Sequence, residues 1–254
     1  MSTFSDYAKF YDLLYQSKDY ESEQKYIQKL IDIENNDAKN ILDLGCGTGS
    51  HAQYFAKNGI YVDGVDISKN MLNIAKNKKK LLSHSIANKI NYIHGDVQSV
   101  RLKKKYDVVL SLFHVASYQS DLKQALSFFK TARQHCNENG LFIFDFWYGP
   151  AILIDPPVNR NKTIMHQQGS FRRETLAELN EHNQTIIIDF TLKPFVNDKP
   201  QREVKEKHTM RYYFQDELEE LLQLSDMKLK KCYRWLTFEP ASPDCWYAVV
   251  VAHP

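Results

Sequence analysis

The sequence predicts an α/β protein built on a doubly wound, mostly parallel sheet of seven strands, with an antiparallel β-insert after the fifth. Three observations predict it. Between about residues 38 and 147, short apolar runs alternate five times with helix-like stretches long enough to cross over, the pattern of parallel strands with right-handed connections. After Tyr148 the rhythm changes, and β-rich runs follow one another without helices. The chain then closes with one more helix and two strands.

The elements follow in order. Tyr7, Tyr11, Leu14 and Tyr15, then Tyr26, Ile27, Leu30 and Ile31, recur at three- and four-residue steps and predict a helix over residues 5–33. A polar break over 34–37 precedes a buried strand, NILDL, that runs into Gly45. A helix over Ser50 to Lys57 stops at Asn58-Gly59, since glycine is favoured just past a helix end. IYVDGVD is the second strand, and Ser68 is a good N-cap for the helix carrying Met71, Leu72, Ile74 and Ala75. INYIHGD and YDVVLSLF are the third and fourth strands. A helix from Asp121 to Cys136, ended by NENG, leads to the fifth, LFIFDFWY. GPAILIDPPVNRN reads as a Pro-rich connection. Beyond it, β-rich runs are divided by NEHNQ, a hairpin connection, and EVKEKHTMRYYF continues the layer. A helix over Gln215 to Leu224, a strand around KLKKCYRWL and a last strand in CWYAVVVAHP complete the fold. The expected division is 1–150 for an N-terminal helical lid and α/β core, 151–212 for the insert, and 213–254 for the return to the core.

Composition removes several functional classes. Net charge is +2, which supplies no electrostatic reason for nucleic acid or an anionic membrane as partner. Lys78 to Lys80 and Lys103 to Lys105 sit at a helix end and in a loop, where solvated surface is the expected role. Cys46, Cys136, Cys232 and Cys245 are scattered, with no C-x-x-C and no zinc spacing, so free thiols in a reducing compartment and no metal are expected. The N-terminus lacks the apolar core of a signal peptide, and no stretch of about 18 apolar residues exists to span a bilayer. A soluble cytoplasmic protein is the expectation.

The loop after the first strand reads Gly45-Cys46-Gly47-Thr48-Gly49. A dinucleotide fingerprint places its third glycine one position later, where this chain has Ser50. Alone, such a glycine turn is a weak signal. Asp66, at the end of the second strand, can accept both hydrogen bonds of a ribose diol, and Asp96, at the end of the third, can accept one from an adenine amino group. Each aspartate alone is commonly a loop cap. Together they occupy successive strand ends, the edge where open α/β sheets bind ligands, and they predict an adenosine-bearing cofactor.

These segments resemble the class I S-adenosylmethionine-dependent methyltransferases: ILDLGCGTGSHA is similar to their first motif, VDGVDISKNML to their second, and IHGDV to their adenine-binding segment. The resemblance covers about residues 38 to 147 and implies a Rossmann-like methyltransferase fold with S-adenosyl-L-methionine as cofactor. It implies that Gly45, Cys46, Gly47 and Gly49 bring the backbone close to the methionine part of the cofactor. It implies Asp66 on the ribose, Ile67 and Met71 near the adenine, Asp96 and Val97 on the adenine edge, and Leu112 completing the site from the fourth strand's end. The cofactor has no pyrophosphate for a helix N-terminus to cradle, and its cationic sulfonium is tolerated by carbonyls and aromatic faces.

YAKFYDLLY puts Tyr7, Tyr11 and Tyr15 on one helical stripe. Such a stripe either packs on the core or forms a lid whose hydroxyls meet the cofactor or its acceptor. A YAxxYDxxY opening, the core motifs and a β-insert after the fifth strand together resemble methyltransferases of nucleotide-linked amino sugars, the N,N-dimethyltransferases of deoxysugar pathways. Glycine and sarcosine N-methyltransferases open somewhat similarly. The acceptor then enters above the fourth strand's end, SLFHVASYQ, where His114 is either a packed histidine or a proton acceptor, with Tyr11 the second catalytic candidate. Tyr118, Trp147 and Tyr148 are the other acceptor-side candidates, the last two either stacking on a sugar or base or packing under the insert. Arg172 and Arg173 are neighbours on a strand, so at most one points inward toward a diphosphate, and solvated surface is the expectation for the pair. IDPPV, 154–158, follows the fifth strand and ends in Val158, unlike the aromatic-ended run of DNA amino-methyltransferases; it reads as a rigid linker.

The reading is methyl transfer to a small molecule, with the amine of a nucleotide-linked amino sugar as acceptor. A sugar O-methyltransferase and a glycine or sarcosine N-methyltransferase stay open. So do a nicotinamide-dependent oxidoreductase, which the displaced third glycine and the lack of an obvious Tyr-x-x-x-Lys dyad oppose, and a non-catalytic binding protein of the same fold. Exposed strand edges in the insert predict a homodimer.

Overall fold

The computed structural model describes residues 7–34, 37–166, 169–196 and 199–254. Residues 5–6 of the predicted first helix and 35–36 of the polar break lie outside them. The predicted single helix is two, α1 (Ala8–Leu14) and α2 (Tyr20–Ile33). The reason is local: Asp19 accepts from the Ser22 amide at 2.9 Å and starts a new helix, with Glu21 and Glu23 in its first turn.

Next come β1 (Asn40–Leu44), α3 (Ser50–Lys57), β2 (Tyr61–Asp66) and α4 (Lys69–Lys80). Ser68 caps α4 by accepting from the Met71 amide at 3.3 Å, and Lys78, Lys79 and Lys80 lie at its C-terminal end, where the helix dipole favours cations. A short helix that the periodicity does not signal, α5 (His84–Ala87), precedes β3 (Ile90–His94) and β4 (Tyr106–Ser111). Asp121 caps α6 (Leu122–His135). NENG does not separate helix from strand: β5 (Cys136–Tyr148) begins directly at Cys136, and its pairing with β4 shifts register between Tyr106 and Val108.

The Pro-rich connection contains a helix, α7 (Gly149–Ile154), with Pro150 in its first turn, where the missing N–H costs nothing. The antiparallel run follows as β6 (Arg160–His166), β7 (Gly169–Asn180), β8 (Thr185–Val196), β9 (Lys199–Pro200) and β10 (Val204–Tyr213). Residues 181–184 turn the β7–β8 hairpin as predicted. The chain closes with α8 (Gln215–Gln223), β11 (Lys228–Arg234) and β12 (Tyr247–His253).

The core sheet runs β3-β2-β1-β4-β5-β12-β11. β12 is antiparallel to β5 and to β11, and the other neighbours in this sheet are parallel. Strand alternation sorts its residues to two cores. Ile41, Val62, Ile143 and Val249 face α2, α3 and α4, whereas Leu42, Val65, Phe142, Phe144 and Val250 face α6 and α8. β5 outruns β4, whose ladder stops at Ser111 opposite Phe144. The end of β10 takes over that edge, pairing Tyr212 and Tyr213 with Trp147 and Tyr148. The insert is thereby hydrogen-bonded to the C-terminal end of the sheet, where ligands bind in this architecture.

Candidate active site

The C-terminal ends of β1 to β5 and residues of β7, β8 and β10 line one cavity of about 470 Å³, within the range for small-molecule sites. On the β1–β3 side it is lined by Gly45, Gly47, Asp66, Ile67, Met71, Asp96 and Val97, with Leu112 from the end of β4. Tyr7, Tyr11 and Tyr15 line it from α1. That helix is tied to the glycine loop by Asp12, which accepts from Thr48 Oγ1 at 2.7 Å and from Lys78 Nζ at 3.2 Å.

The loop's glycines divide in role. Gly47 has φ +54°, and a Cβ there would meet nothing within 4 Å, so the side a side chain would fill is open. Gly49 has φ +72° as the N-cap of α3, and a Cβ there would collide with the Tyr92 hydroxyl. Gly49 therefore serves helix–strand packing and is not among the lining residues. Cys46 does not line the cavity either. Its side chain is buried against Gly64, and burial pushes the thiol well up.

Asp66 Oδ2 accepts from the Gly47 amide at 2.8 Å and Oδ1 from the Ser68 amide at 2.7 Å. A carboxylate can accept about four hydrogen bonds, so roughly two remain for a ligand. Burial raises its pKa, opposed by those two amides. Asp96 accepts from the Gln98 amide at 2.8 Å and lines the same end.

Asp43, 3% exposed on β1, is pushed up to about 6 by burial, against the attraction of His51. Because this lies above the unfolded value of about 3.9, the native state binds more protons than the unfolded chain between about pH 4 and 6. The contribution of Asp43 to stability is greatest below that window and falls as pH rises through it. Asp43→Asn is therefore expected to stabilise the protein by roughly 2 kcal/mol near neutral pH, with the gain vanishing by about pH 4. Urea unfolding of both proteins at the two pH values measures it.

On the other side, His114 follows the end of β4 in an unusual backbone. Phe113 and His114 have φ +67° and +65°, a left-handed pair that costs ~1–2 kcal/mol per residue. The His114 amide donates to Asp145 Oδ1 at 2.8 Å, and its Nδ1 lies 2.9 Å from Asp145 Oδ2, within ion-pair range but off hydrogen-bond alignment. The imidazole stacks on Tyr247 with centroids 4.5 Å apart, and Trp147 stands 6.2 Å away. Asp145 and Trp147 alternate onto one face of β5, and Tyr247 pairs with Trp147 from β12. Tyr148 faces the opposite way and packs into the α6–α8 core, so the structure places it outside the cavity.

Tyr118 lines the cavity, and its hydroxyl lies 2.8 Å from Nδ1 of His208 on β10. Burial lowers His208 to about 4 and raises Tyr118 well above its ordinary value. The phenol therefore stays protonated and the imidazole neutral, and the tautomer of His208 sets which of the two donates. Burial, then the neighbouring Tyr15, Tyr20 and Tyr118, also raise Tyr11, so its hydroxyl is a hydrogen-bond donor and not a base.

Of the arginine pair, Arg172 is exposed and Arg173 lines the cavity, its guanidinium 5.5 Å from the Phe190 ring. Ile188, Phe190, His208 and Met210 of the insert line it as well, as do Tyr247 and Gln98. Sequence reading does not select these insert residues, because alternation marks which positions share a face but not which face the sheet turns inward. Asp145 does carry a signal: an acidic residue inside LFIFDFWY is a buried charge that needs a partner.

Comparison with known proteins agrees with this arrangement. Residues 41–140 match the family model described as a methyltransferase domain. The chain is 26% identical over 190 residues to dTDP-3-amino-3,4,6-trideoxy-alpha-D-glucopyranose N,N-dimethyltransferase of Streptomyces venezuelae, covering 74% of this chain and 76% of that one. It is 29% identical over 150 residues to dTDP-3-amino-3,6-dideoxy-alpha-D-glucopyranose N,N-dimethyltransferase of Streptomyces fradiae, covering 56% of this chain and 54% of that one. A crystal structure of an S-adenosylmethionine-dependent methyltransferase from Clostridium acetobutylicum superposes with a TM-score of 0.81 at 20% identity, over 98% of this chain and 97% of that one. The sheet order, the glycine loop with its two strand-end carboxylates and these similarities agree: the protein has a Rossmann-like methyltransferase fold and is an enzyme of S-adenosylmethionine-dependent methyl transfer.

Proposed function

We propose that the protein methylates the amine of a nucleotide-linked amino sugar. The observation that carries this reading is the extension of the cavity under the insert, where Arg173 is, among the described residues, the only lining lysine or arginine and Phe190, Trp147 and Tyr247 supply ring faces. A guanidinium suits a diphosphate, and ring faces suit a sugar or base. The relatives named above, which act on dTDP-linked amino sugars, support the same class.

The residues of the β1–β3 end fit the cofactor. The open side of Gly47 admits its methionine part, the remaining acceptor positions of Asp66 suit a ribose diol, and Asp96 and Val97 would hold the adenine edge, with Ile67 and Met71 beside the base. Tyr7, Tyr11 and Tyr15 would close over it from α1. When bound, S-adenosylmethionine supplies a methyl carbon activated by a sulfonium leaving group. The chain's own task is to hold the acceptor nitrogen in line with that carbon and to exclude water. Such positioning reaches effective molarities of about 10⁵ M or more. His114 is the base: with Nδ1 against Asp145, Nε2 across the ring takes the proton the nitrogen gives up.

A hydroxyl acceptor is the second reading, favoured by the His114–Asp145 pair, because an alcohol needs a base more than an amine does. Formation of S-adenosylhomocysteine separates the two. Turnover is expected with a nucleoside-diphosphate amino sugar, at least tenfold less with the free amino sugar, and least with the hydroxy analogue. Turnover confined to the hydroxy analogue would overturn the amine.

The proposal extends to a cytoplasmic homodimer. Among the described residues no helix is long and apolar enough to cross a membrane, and β6 pairs on one side only, leaving an edge for a second copy. Light scattering at micromolar concentration is expected to give twice the chain mass, and a monomer there counts against it.

A further inference from the structure

We infer that Asp145 is a positioning residue for methyl transfer, acting through His114. This rests on His114 taking the acceptor's proton. One carboxylate, 1% exposed, addresses two atoms of the same histidine: Oδ1 receives the backbone amide at 2.8 Å, and Oδ2 lies 2.9 Å from Nδ1. The first contact braces the left-handed turn at Phe113 and His114, a conformation uncommon for residues other than glycine. The second favours the tautomer with its proton on Nδ1, leaving the Nε2 lone pair for the acceptor. The off-line Nδ1 contact suits a pair that tightens when substrate fills the cavity. The imidazole is further held by the Tyr247 ring. Asp145 sits on β5, a central strand, and so delivers both contacts from a rigid element.

Asp145→Asn separates the two contacts. Its amide oxygen still accepts from the His114 N–H, while its NH₂ faces Nδ1 and donates to it, driving the ring proton to Nε2. In protein labelled with ¹⁵N-histidine, His114 is identified by the signals lost in His114→Ala. The parent is expected to show the Nδ1–H tautomer and Asp145→Asn the Nε2–H tautomer. The variant's kcat is expected to fall tenfold or more with KM within threefold of the parent, and the same change in a His114→Ala background should cost nothing further. An Nε2–H tautomer in the parent itself overturns the inference without any variant. So does a folded Asp145→Asn whose tautomer is unchanged, or one that loses the same factor without His114. Failure of the base reading is distinct: His114→Ala would then keep the parent's kcat.

Discussion

Replacing His114 with Ala is expected to lower kcat by about 10²-fold or more while leaving S-adenosylmethionine affinity within threefold of the parent. The split follows from position. His114 lines the end of the cavity assigned to the acceptor under the proposed function, whereas Gly47, Asp66 and Asp96 line the end assigned to the cofactor. In the proposed reading the side chain supplies a proton acceptor and not a cofactor contact, so binding of the cofactor is expected to be spared. Because His114 sits at φ +65°, alanine changes the backbone preference as well as the chemistry. His114→Asn is the control: asparagine tolerates the left-handed region and has no basic nitrogen. Both variants should lose rate alike in single-turnover assays of S-adenosylhomocysteine formation. If both keep a rate within threefold of the parent, the base assignment is wrong and positioning alone carries the reaction.

Asp66→Ala is expected to weaken S-adenosylmethionine about 100-fold. Two hydrogen bonds from a ribose diol to a carboxylate are each worth about 1.5–3 kcal/mol, and ~3 kcal/mol in all corresponds to about two decades of affinity. Alanine also releases the Gly47 and Ser68 amides, which the carboxylate holds at 2.8 and 2.7 Å, so the glycine loop loses its brace. Asp66→Asn retains the acceptor oxygen and should fall between the two. Calorimetry with S-adenosylmethionine and S-adenosylhomocysteine tests the series. A dissociation constant for Asp66→Ala within threefold of the parent would remove Asp66 from the site.

The β1–β3 end of the cavity was legible in the chain because it is local. Gly45, Gly47, Asp66 and Asp96 each lie within a few residues of a strand end, and the order of strands in an alternating α/β chain brings those ends to one edge. Where reading by motif extended beyond that edge it overshot. Gly49 and Cys46 belong to the same glycine run, yet both point into the fold, since one backbone loop presents only some of its residues to a cavity. Trp147 and Tyr148 show the same limit in a strand, with neighbours on opposite faces.

The alternation of apolar runs and helices, the glycine loop and the aspartates at successive strand ends determined, from the sequence alone, the fold class and the cofactor. These are consequences of short-range periodicity and chain order. Only the tertiary structure decided the acceptor side. Asp145 meets His114 across 31 residues of chain, Tyr118 meets His208 across 90, and Arg173 and Phe190 arrive from an insert that docks on the protruding end of β5. Such contacts depend on which face of each sheet turns inward and on where two sheets join. Long-range packing sets both, and no local pattern of residues encodes them.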